Sequence, residues 1–223
     1  MKLFNVVIRH RLLFIILVVL ATIGLAFSAI KVQLNTDFST YFSEDDPTVE
    51  EFNRVGETFG SNYVGMVMVQ KDELFTVNNL QEIKALASEY EQIEGVLRVL
   101  SIAEVADMNP SNRGLSMKPL PESEQEVDVY KNDLLSQELF NGTLINDSET
   151  ATLILVSFDP NGDHIKIASE IEDITEEVSK TPENVYYGGM PFTMSAFQTT
   201  IVNNLIYLLP VMLLLLLSTL FIG

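Results

Sequence analysis

The chain has 223 residues, of which 47% are hydrophobic, and a formal charge of −18, so acidity and a positive mean hydropathy occur together. The two properties separate along the sequence, because all 31 acidic and ten of the 13 basic residues lie in residues 31–204, which carry a formal charge of −21. Such a charge repels phosphate backbones and excludes nucleic acid as a partner, and the lack of cysteine excludes disulfides, zinc–thiolate sites and thiol nucleophiles.

The first predicted element is a membrane span over residues 12–30, which contain no charged side chain. As a helix this run extends about 28 Å, close to the ~30 Å hydrocarbon thickness of a bilayer. Residues 1–11 carry Lys2, Arg9 and Arg11, so the positive-inside rule predicts a cytoplasmic N-terminus and an exterior segment 31–204. A cleaved signal peptide is the alternative, and the length of the apolar run disfavours it.

Periodicity and turn residues predict two successive helix–strand–helix–strand units between the two apolar runs. The first unit, over residues 47–102, begins with a helix from Pro47 to about Phe59, with Asp46 before it and Gly60 as its stop. A strand Tyr63–Gln70 follows, and then a helix that is capped by Thr76 and runs to about Ile93. A strand Val96–Ile102 completes the unit. A surface loop, Asn109–Pro121, follows it. The second, over residues 122–189, comprises a helix 122–140, a strand 150–158, a helix 164–179 and a short strand 185–187.

This order predicts an α+β fold of the ferredoxin-like (split β-α-β) type, with a four-stranded sheet covered by helices on one face. Val67–Val69 and Leu153–Val156 are apolar enough to belong to its central strands. The prediction therefore places a ferredoxin-like exterior domain between two transmembrane helices.

The second predicted span covers residues 205–222, which are uncharged and contain Pro210, tolerated in membrane helices as a kink. Residues 192–204 are expected to continue the same helix out of the membrane. Because no basic flank follows the span, the chain is expected to be the front part of a longer membrane protein.

Several short motifs occur in a fixed order around these spans, at positions Asp37, Phe38, Asp46, Pro47, Gly60, Gly188, Gly189 and Pro191. In this order the chain resembles the N-terminal portion of transporters of the resistance–nodulation–division (RND) superfamily, in its MmpL-like and predicted-exporter branch. The sequence has Phe42-Ser43 where family members commonly have Leu-Pro.

The resemblance implies a multi-pass protein of the cell membrane that exports hydrophobic or lipid-like substrates at the expense of a proton gradient. It implies as partners the lipid bilayer, the remaining membrane helices of the full-length transporter and, in some members, further copies of the chain. Neither predicted span contains Asp, Glu, Lys, Arg or His, so the proton relay is expected in later helices. The alternative function is the exterior sensor module of a membrane receptor or histidine kinase.

No catalytic constellation or cofactor motif is found, and we expect neither an enzyme nor a bound cofactor. Asp159, Asn161, Asp163 and Glu170 match positions of a calcium-loop template, but Pro160 and His164 occupy positions that disfavour it, and we interpret the segment as a strand-to-helix turn. The two histidines, His10 and His164, are expected to be exposed to solvent.

Overall fold

The computed structural model describes residues 46–103, 106–107, 116–117 and 119–222, together with the helical positions Ile16, Leu20, Thr22 and Gly24. Apart from these four positions, the predicted span 12–30 lies outside the described residues, as do Asp37, Phe38 and His10. The chain divides into two compact units, residues 1–36 and 37–223, and the elements below belong to the second. They are α1 (Pro47–Phe59), β1 (Val64–Gln70), α2 (Val77–Tyr90), β2 (Val96–Leu100), β3 (Ala106–Asp107), β4 (Ser116–Met117), α3 (Glu124–Leu135), β5 (Ala151–Phe158), α4 (His164–Val178), β6 (Val185–Gly189) and α5 (Met190–Ile222).

Helix α1 has the start and stop that its sequence predicts. The Asp46 side chain accepts a hydrogen bond from the amide of Thr48, and Pro47 occupies the first helical position, where no backbone donor is needed. Gly60, with φ of +92°, ends the helix in the left-handed conformation. The prediction for this helix is confirmed.

The four long strands form one antiparallel sheet in the order β2-β5-β1-β6, and β3 and β4 form a separate two-stranded pair. The most apolar strands, β1 and β5, lie at its centre, which confirms the prediction from Val67–Val69 and Leu153–Val156. Central strands are buried by neighbours on both sides and therefore need the longest apolar runs. The second unit is thus a mixed α and β structure built on a four-stranded antiparallel sheet.

The two faces of this sheet differ in their surroundings. Side chains alternate across a strand, and on one face Val67, Val69, Ile154 and Val156 are fully buried. Helices α2 and α4 pack apolar residues at helical spacing against them: Leu80, Ile83, Leu86, Ile167 and Ile171. The alternate side chains of β1 point to the other face and are half-buried or exposed. The core therefore lies between the sheet and these helices.

Three connections depart from the sequence prediction. Helix α2 ends at Tyr90 instead of about Ile93, because the amides of Gln92 and Ile93 bond to carbonyls three residues back and tighten the chain into a turn. Helix α3 ends at Leu135, and residues 136–145 form turns instead of continuing to residue 140. The predicted loop 109–121 contains β4, which pairs with β3.

Helix α5 runs without interruption for 33 residues, through Pro210. It begins two residues before the stretch 192–204, which was expected to continue the helix of residues 205–222, so the expectation of one continuous helix is confirmed. Residues 190–219 are long and apolar enough to cross a membrane, and among the helices in the described part of the chain this one alone meets that condition. Such a helix is about 50 Å long, about 20 Å longer than the ~30 Å hydrocarbon thickness of a bilayer.

Candidate membrane junction

The sheet meets the apolar helix α5 at one of its ends. Strand β6 finishes at Gly189 and α5 starts at the next residue, so no linker separates them. Because β1 is antiparallel to both β5 and β6, its first residues lie beside the last residues of those strands. We name this the junction end, which contains Val64, Phe158 and Gly189, and the opposite end the distal end, which contains Gln70, Ala151 and Val185.

Two glycines at the junction end have close neighbours that a Cβ atom would strike. Gly189 has φ of +88°, and a Cβ there would lie closer to the Val64 carbonyl oxygen than real Cβ atoms come. Its register partner, Gly65, faces Phe192, and a Cβ there would lie 2.8 Å from Phe192 Cε2. Gly188, in contrast, has room for a Cβ at an ordinary 3.8 Å from Met66. Of the two predicted glycines, Gly189 is therefore the one that the geometry requires.

The first turns of α5 lie inside the domain. Pro191 occupies the second helical position, where its missing N–H leaves no hydrogen bond unmade. Pro191, Phe192, Met194 and Ser195 are buried, whereas the helix is largely exposed from residue 196 onward. The apolar helix α5 is thus anchored in the domain by its own first turns, and α5 contacts α4, β6 and β1.

Six rings form a continuous set of contacts around this anchor, which we name the junction cluster. Phe192 lies 5.1 Å from Tyr187 and 6.3 Å from Phe158, measured between ring centroids. The Phe158 ring is tilted against the His164 ring, and the His164 ring stacks on Tyr63. The Tyr63 ring packs edge to face against Phe52 of α1. Each such pair of rings stabilises the fold by about 0.5–1.5 kcal/mol beyond the contribution from burying its apolar surface. The cluster therefore connects α1, which follows the first apolar run in the chain, to the start of α5.

His164 lies within this cluster, and the expectation that it is exposed to solvent was wrong. Its side chain is buried, its ring lies 3.9 Å from the Tyr63 ring between centroids, and its Nε2 lies 2.8 Å from the Asp159 carbonyl oxygen. A helix start usually exposes its side chains, but here the loop after β5 folds back onto the ring. The signal for its burial in the sequence was an aromatic residue beside each central strand, Tyr63 just before β1 and Phe158 as the last residue of β5.

Side-chain hydrogen bonds fix the loop between α1 and β1 at the same end. Ser61 Oγ donates to the Phe158 carbonyl and accepts from the amide of Tyr63 at 3.0 Å. Asn62 Nδ2 donates to the carbonyl of Phe52 at 2.6 Å.

Burial raises the pKa of the Tyr187 hydroxyl, and Glu172 and Glu176 raise it further, so Tyr187 stays neutral. The cluster is thus held by shape and neutral hydrogen bonds.

The four residues that match the calcium template have local structural roles. Asp159 Oδ1 accepts from the amide of Asn161 at 2.9 Å, and Asp163 caps α4 by accepting from the amide of Lys166 at 3.1 Å. Glu170 pairs with Lys166 Nζ at 3.5 Å. Over the positions that the structure describes, no group of three or more His, Asp or Glu side chains could hold a metal ion. These contacts are typical of a strand-to-helix turn followed by a capped helix.

A buried ion pair at the distal end was not predicted from the sequence. Lys71 Nζ lies 2.8 Å from Glu82 Oε1 and donates to Thr181 Oγ1 at 2.8 Å. Glu82 Oε1 also accepts from Ser179 Oγ at 2.9 Å and from the amide of Lys180 at 3.1 Å. Burial raises the pKa of the Glu82 carboxyl, but these hydrogen bonds outweigh burial, so its pKa lies below the ordinary value.

An open cleft of about 330 Å³ lies beside the start of α3. It is lined by Pro119, Leu120, Pro121, Val129, Tyr130 and neighbouring polar residues. The carboxylate on its wall, Glu126, already accepts a hydrogen bond from the amide of Glu122 at 2.9 Å. The cleft therefore has the character of a shallow apolar surface, and the junction remains the best-defined site.

Comparison with known proteins adds one relative. No known protein-family profile matches the chain. The chain is similar to "Putative membrane protein MJ1562" of Methanocaldococcus jannaschii, with 22% identity over 181 residues. The alignment covers 76% of this chain and 44% of the relative, so the chain spans less than half of the relative's length. This similarity and the apolar helix α5 together indicate a membrane-associated protein.

Proposed function

We propose that this chain is the membrane-anchored exterior module of an RND-type exporter of hydrophobic or lipid-like substrates. The observation that carries the proposal is the direct passage from β6 through Gly189 into α5, whose first turns are buried in the domain. In such an exporter, the exterior domain has to follow movements of the membrane helices. A junction without a linker transmits those movements without loss.

The arrangement of the strands supports a ferredoxin-like fold for the exterior module. Helix α2 connects β1 to β2 and helix α4 connects β5 to β6, which gives two strand–helix–strand units in chain order. When the four long strands are numbered one to four in chain order, their order in the sheet is 2-3-1-4, with all neighbours antiparallel. This is the order expected of a split β-α-β sandwich.

The proposed topology places the N-terminus in the cytoplasm and residues 31–204 on the exterior side. It is supported by Lys2, Arg9 and Arg11 before the first apolar run. Helix α5 contains no Asp, Glu, Lys, Arg or His, although a proton path needs ionisable groups within the membrane. The proton relay would therefore belong to other helices of the intact transporter.

The test is transport by the intact protein in proteoliposomes with an imposed proton gradient, using fluorescent lipids and lipophilic dyes as probes. Two insertions after Thr199, four glycines or four alanines, lengthen the exposed part of α5 equally. Alanine preserves the helix, whereas four glycines cost about 3–4 kcal/mol of helix propensity relative to alanine. We expect the alanine form to retain transport and the glycine form to lose at least tenfold.

Two results would count against the proposal. Equal transport by the two insertion forms would show that a rigid α5 is not needed to couple the domain to the membrane helices. No transport above protein-free liposomes by the unaltered protein would refute the exporter itself. The sensor module would then be the better proposal if the gene continues into a soluble signalling domain, because a continuous helix also suits signal transfer.

A further inference from the structure

The turn between α3 and β5 contains two tripeptides of the pattern Asn-x-Ser/Thr, which accepts N-linked sugars when the middle residue is not proline. All of their residues are exposed to solvent, and the tripeptides are Asn141-Gly142-Thr143 and Asn146-Asp147-Ser148. The same residues also occur in ordinary turns, because Asn, Gly and Asp favour turn conformations. The hydrogen bonds of the two asparagines distinguish between these roles.

The side chain of Asn146 is fully used by the turn. Its Oδ1 accepts hydrogen bonds from the amides of Thr150 and Ala151, both at 2.9 Å. Its Nδ2 donates to Ser148 Oγ at 2.8 Å and to Thr150 Oγ1 at 3.1 Å. A side-chain amide has two N–H groups, so a sugar on Nδ2 would break one of these two bonds. Asn146 therefore has a structural role in the turn.

The side chain of Asn141 is used differently. Its Nδ2 donates to the carbonyl of Leu135 at 3.2 Å, and this carbonyl, at the end of α3, has no partner within the helix. The bond needs one N–H, and an amide that carries a sugar keeps one N–H. Thr143 is exposed, and within the described part of the chain its hydroxyl makes no hydrogen bond. The nitrogen of Asn141 and the hydroxyl two residues later are thus both accessible to an enzyme.

The turn that carries Asn141 is fixed to the distal end of the sheet. Leu144 and Ile145 are buried, and the Leu144 carbonyl accepts from the amide of Leu153 in β5 at 2.8 Å. The amide of Gly142 donates to the Ile145 carbonyl at 3.0 Å, which closes the turn. A sugar chain on Asn141 would therefore leave the junction end and the start of α5 unobstructed.

We propose that Asn141 is a site of N-glycosylation and that Asn146 is not. The donor is an oligosaccharide joined through phosphate to a membrane lipid, and the enzyme is an oligosaccharyl transferase. Asn141 Nδ2 attacks C1 of the first sugar, so that the C1–N bond forms and the bond from C1 to the phosphate oxygen breaks. The amide loses one proton to the enzyme, and the lipid phosphate leaves. The site rests on the proposed exterior placement of residues 31–204 and does not require transport activity.

The test is mass spectrometry of peptides from the intact protein, produced in cells whose own exterior proteins carry N-linked sugars. We expect one sugar chain per molecule, on the peptide that contains Asn141. Asn141→Gln keeps an amide but should lower the amount of sugar-bearing protein at least tenfold. Thr143→Ala leaves Asn141 in place and should have the same effect, whereas Thr143→Ser should keep at least half of the sugar. The two Thr143 variants are matched, because each changes an exposed side chain.

The second tripeptide provides an internal comparison. Ser148→Ala removes its hydroxyl, and the sugar content of the protein should then change less than twofold. A sugar chain on Asn146, or an Asn141 without sugar in the unaltered protein, would overturn the proposal.

A separate measurement distinguishes failure of the site from failure of the proposed topology. The chain has no cysteine, so Ser169→Cys places a single thiol on the exposed side of α4. A maleimide that does not cross membranes should label this thiol on intact cells. Labelling of intact cells without sugar on Asn141 would refute the site alone. Labelling only after the cells are permeabilised would refute the exterior placement and, with it, the site.

Discussion

The two ends of the sheet are held by different physical means. At the junction end, Gly189 permits close backbone contact, Gly65 leaves room for the Phe192 ring, and the junction cluster fills the remaining space. At the distal end, Lys71 and Glu82 form a buried ion pair between the end of β1 and helix α2. The end that carries the apolar helix α5 thus depends on the fit between side chains and backbone, and the other end depends on charge. This difference makes the distal end sensitive to pH and the junction end sensitive to side-chain volume.

The largest expected effect is at the distal end, on replacing Lys71 by methionine. The change keeps most of the side-chain hydrocarbon but leaves the Glu82 carboxylate buried without its cation, which costs about 3–5 kcal/mol. Chemical denaturation of the purified protein in detergent measures the free energy of unfolding. Adding Glu82→Gln should recover part of the loss, because no charge then remains buried. A loss below about 1 kcal/mol would show that the pair contributes no more than a surface pair does.

The next effect is at the junction end, where Gly189→Ala forces a side chain against the Val64 carbonyl and a left-handed backbone onto alanine. The expected loss of unfolding free energy is roughly 2–4 kcal/mol. Gly188→Ala is the matched control, since its Cβ would make an ordinary contact with Met66, and it should cost less than about 1 kcal/mol. Equal losses at the two glycines would contradict the assigned role of Gly189.

The pH dependence of stability tests the charge of the distal end directly. The pKa of Glu82 in the folded protein lies below its ordinary value of 4.5, because hydrogen bonds from Lys71, Ser179 and Lys180 outweigh burial. As the pH falls, the unfolded chain binds the proton first, so this stabilisation is full above the unfolded pKa and is lost as the pH falls through the folded pKa. The stability difference between the unaltered protein and Glu82→Gln should therefore shrink as denaturation is repeated from about pH 7 down to pH 3. A constant difference would mean that Glu82 does not titrate in this range.

The smallest expected effect separates ring stacking from hydrogen bonding in the junction cluster. His164→Phe keeps a ring against Tyr63 but loses the hydrogen bond to the Asp159 carbonyl, so it should cost about 0.5–1.5 kcal/mol. His164→Ala removes both the ring contact and the hydrogen bond, so it should lower the free energy of unfolding by more than His164→Phe does. Chemical denaturation measures both losses. If the two variants lost the same stability, the stacking would contribute nothing.

Much of the fold follows from local patterns in the sequence. The start of α1 at Asp46-Pro47 and its end at Gly60 depend on capping and on glycine backbone freedom, which act within a few residues. The central position of β1 and β5 follows from their apolar runs, since only central strands have neighbours on both sides. These features are readable because the residues that cause them are adjacent in the chain.

The Gly189 contact at the junction and the buried Lys71–Glu82 ion pair could not be predicted from local patterns in the sequence. Gly189 fits against Val64 only because β6 pairs with β1 across more than a hundred residues of chain. Glu82 interrupts the apolar side of α2 beside Leu80 and Ile83, which is a signal of a buried charge, but its partner Lys71 is fixed by the turn after β1. The Gly189 contact depends on strand pairing and the Lys71–Glu82 pair depends on how α2 packs beside the end of β1, and periodicity encodes neither.

The passage from β6 into α5 also has a consequence for biosynthesis. The central strand β1 pairs with β6, which is the last strand of this sheet in chain order, and Phe192 joins the core about one turn before the exposed part of helix α5 begins. The domain consequently lacks one edge of its sheet until translation reaches helix α5, and pairings this distant in sequence form slowly. The domain built on this sheet therefore cannot finish folding before the ribosome has begun to produce helix α5, so completion of the sheet and synthesis of the apolar helix follow one another closely in time.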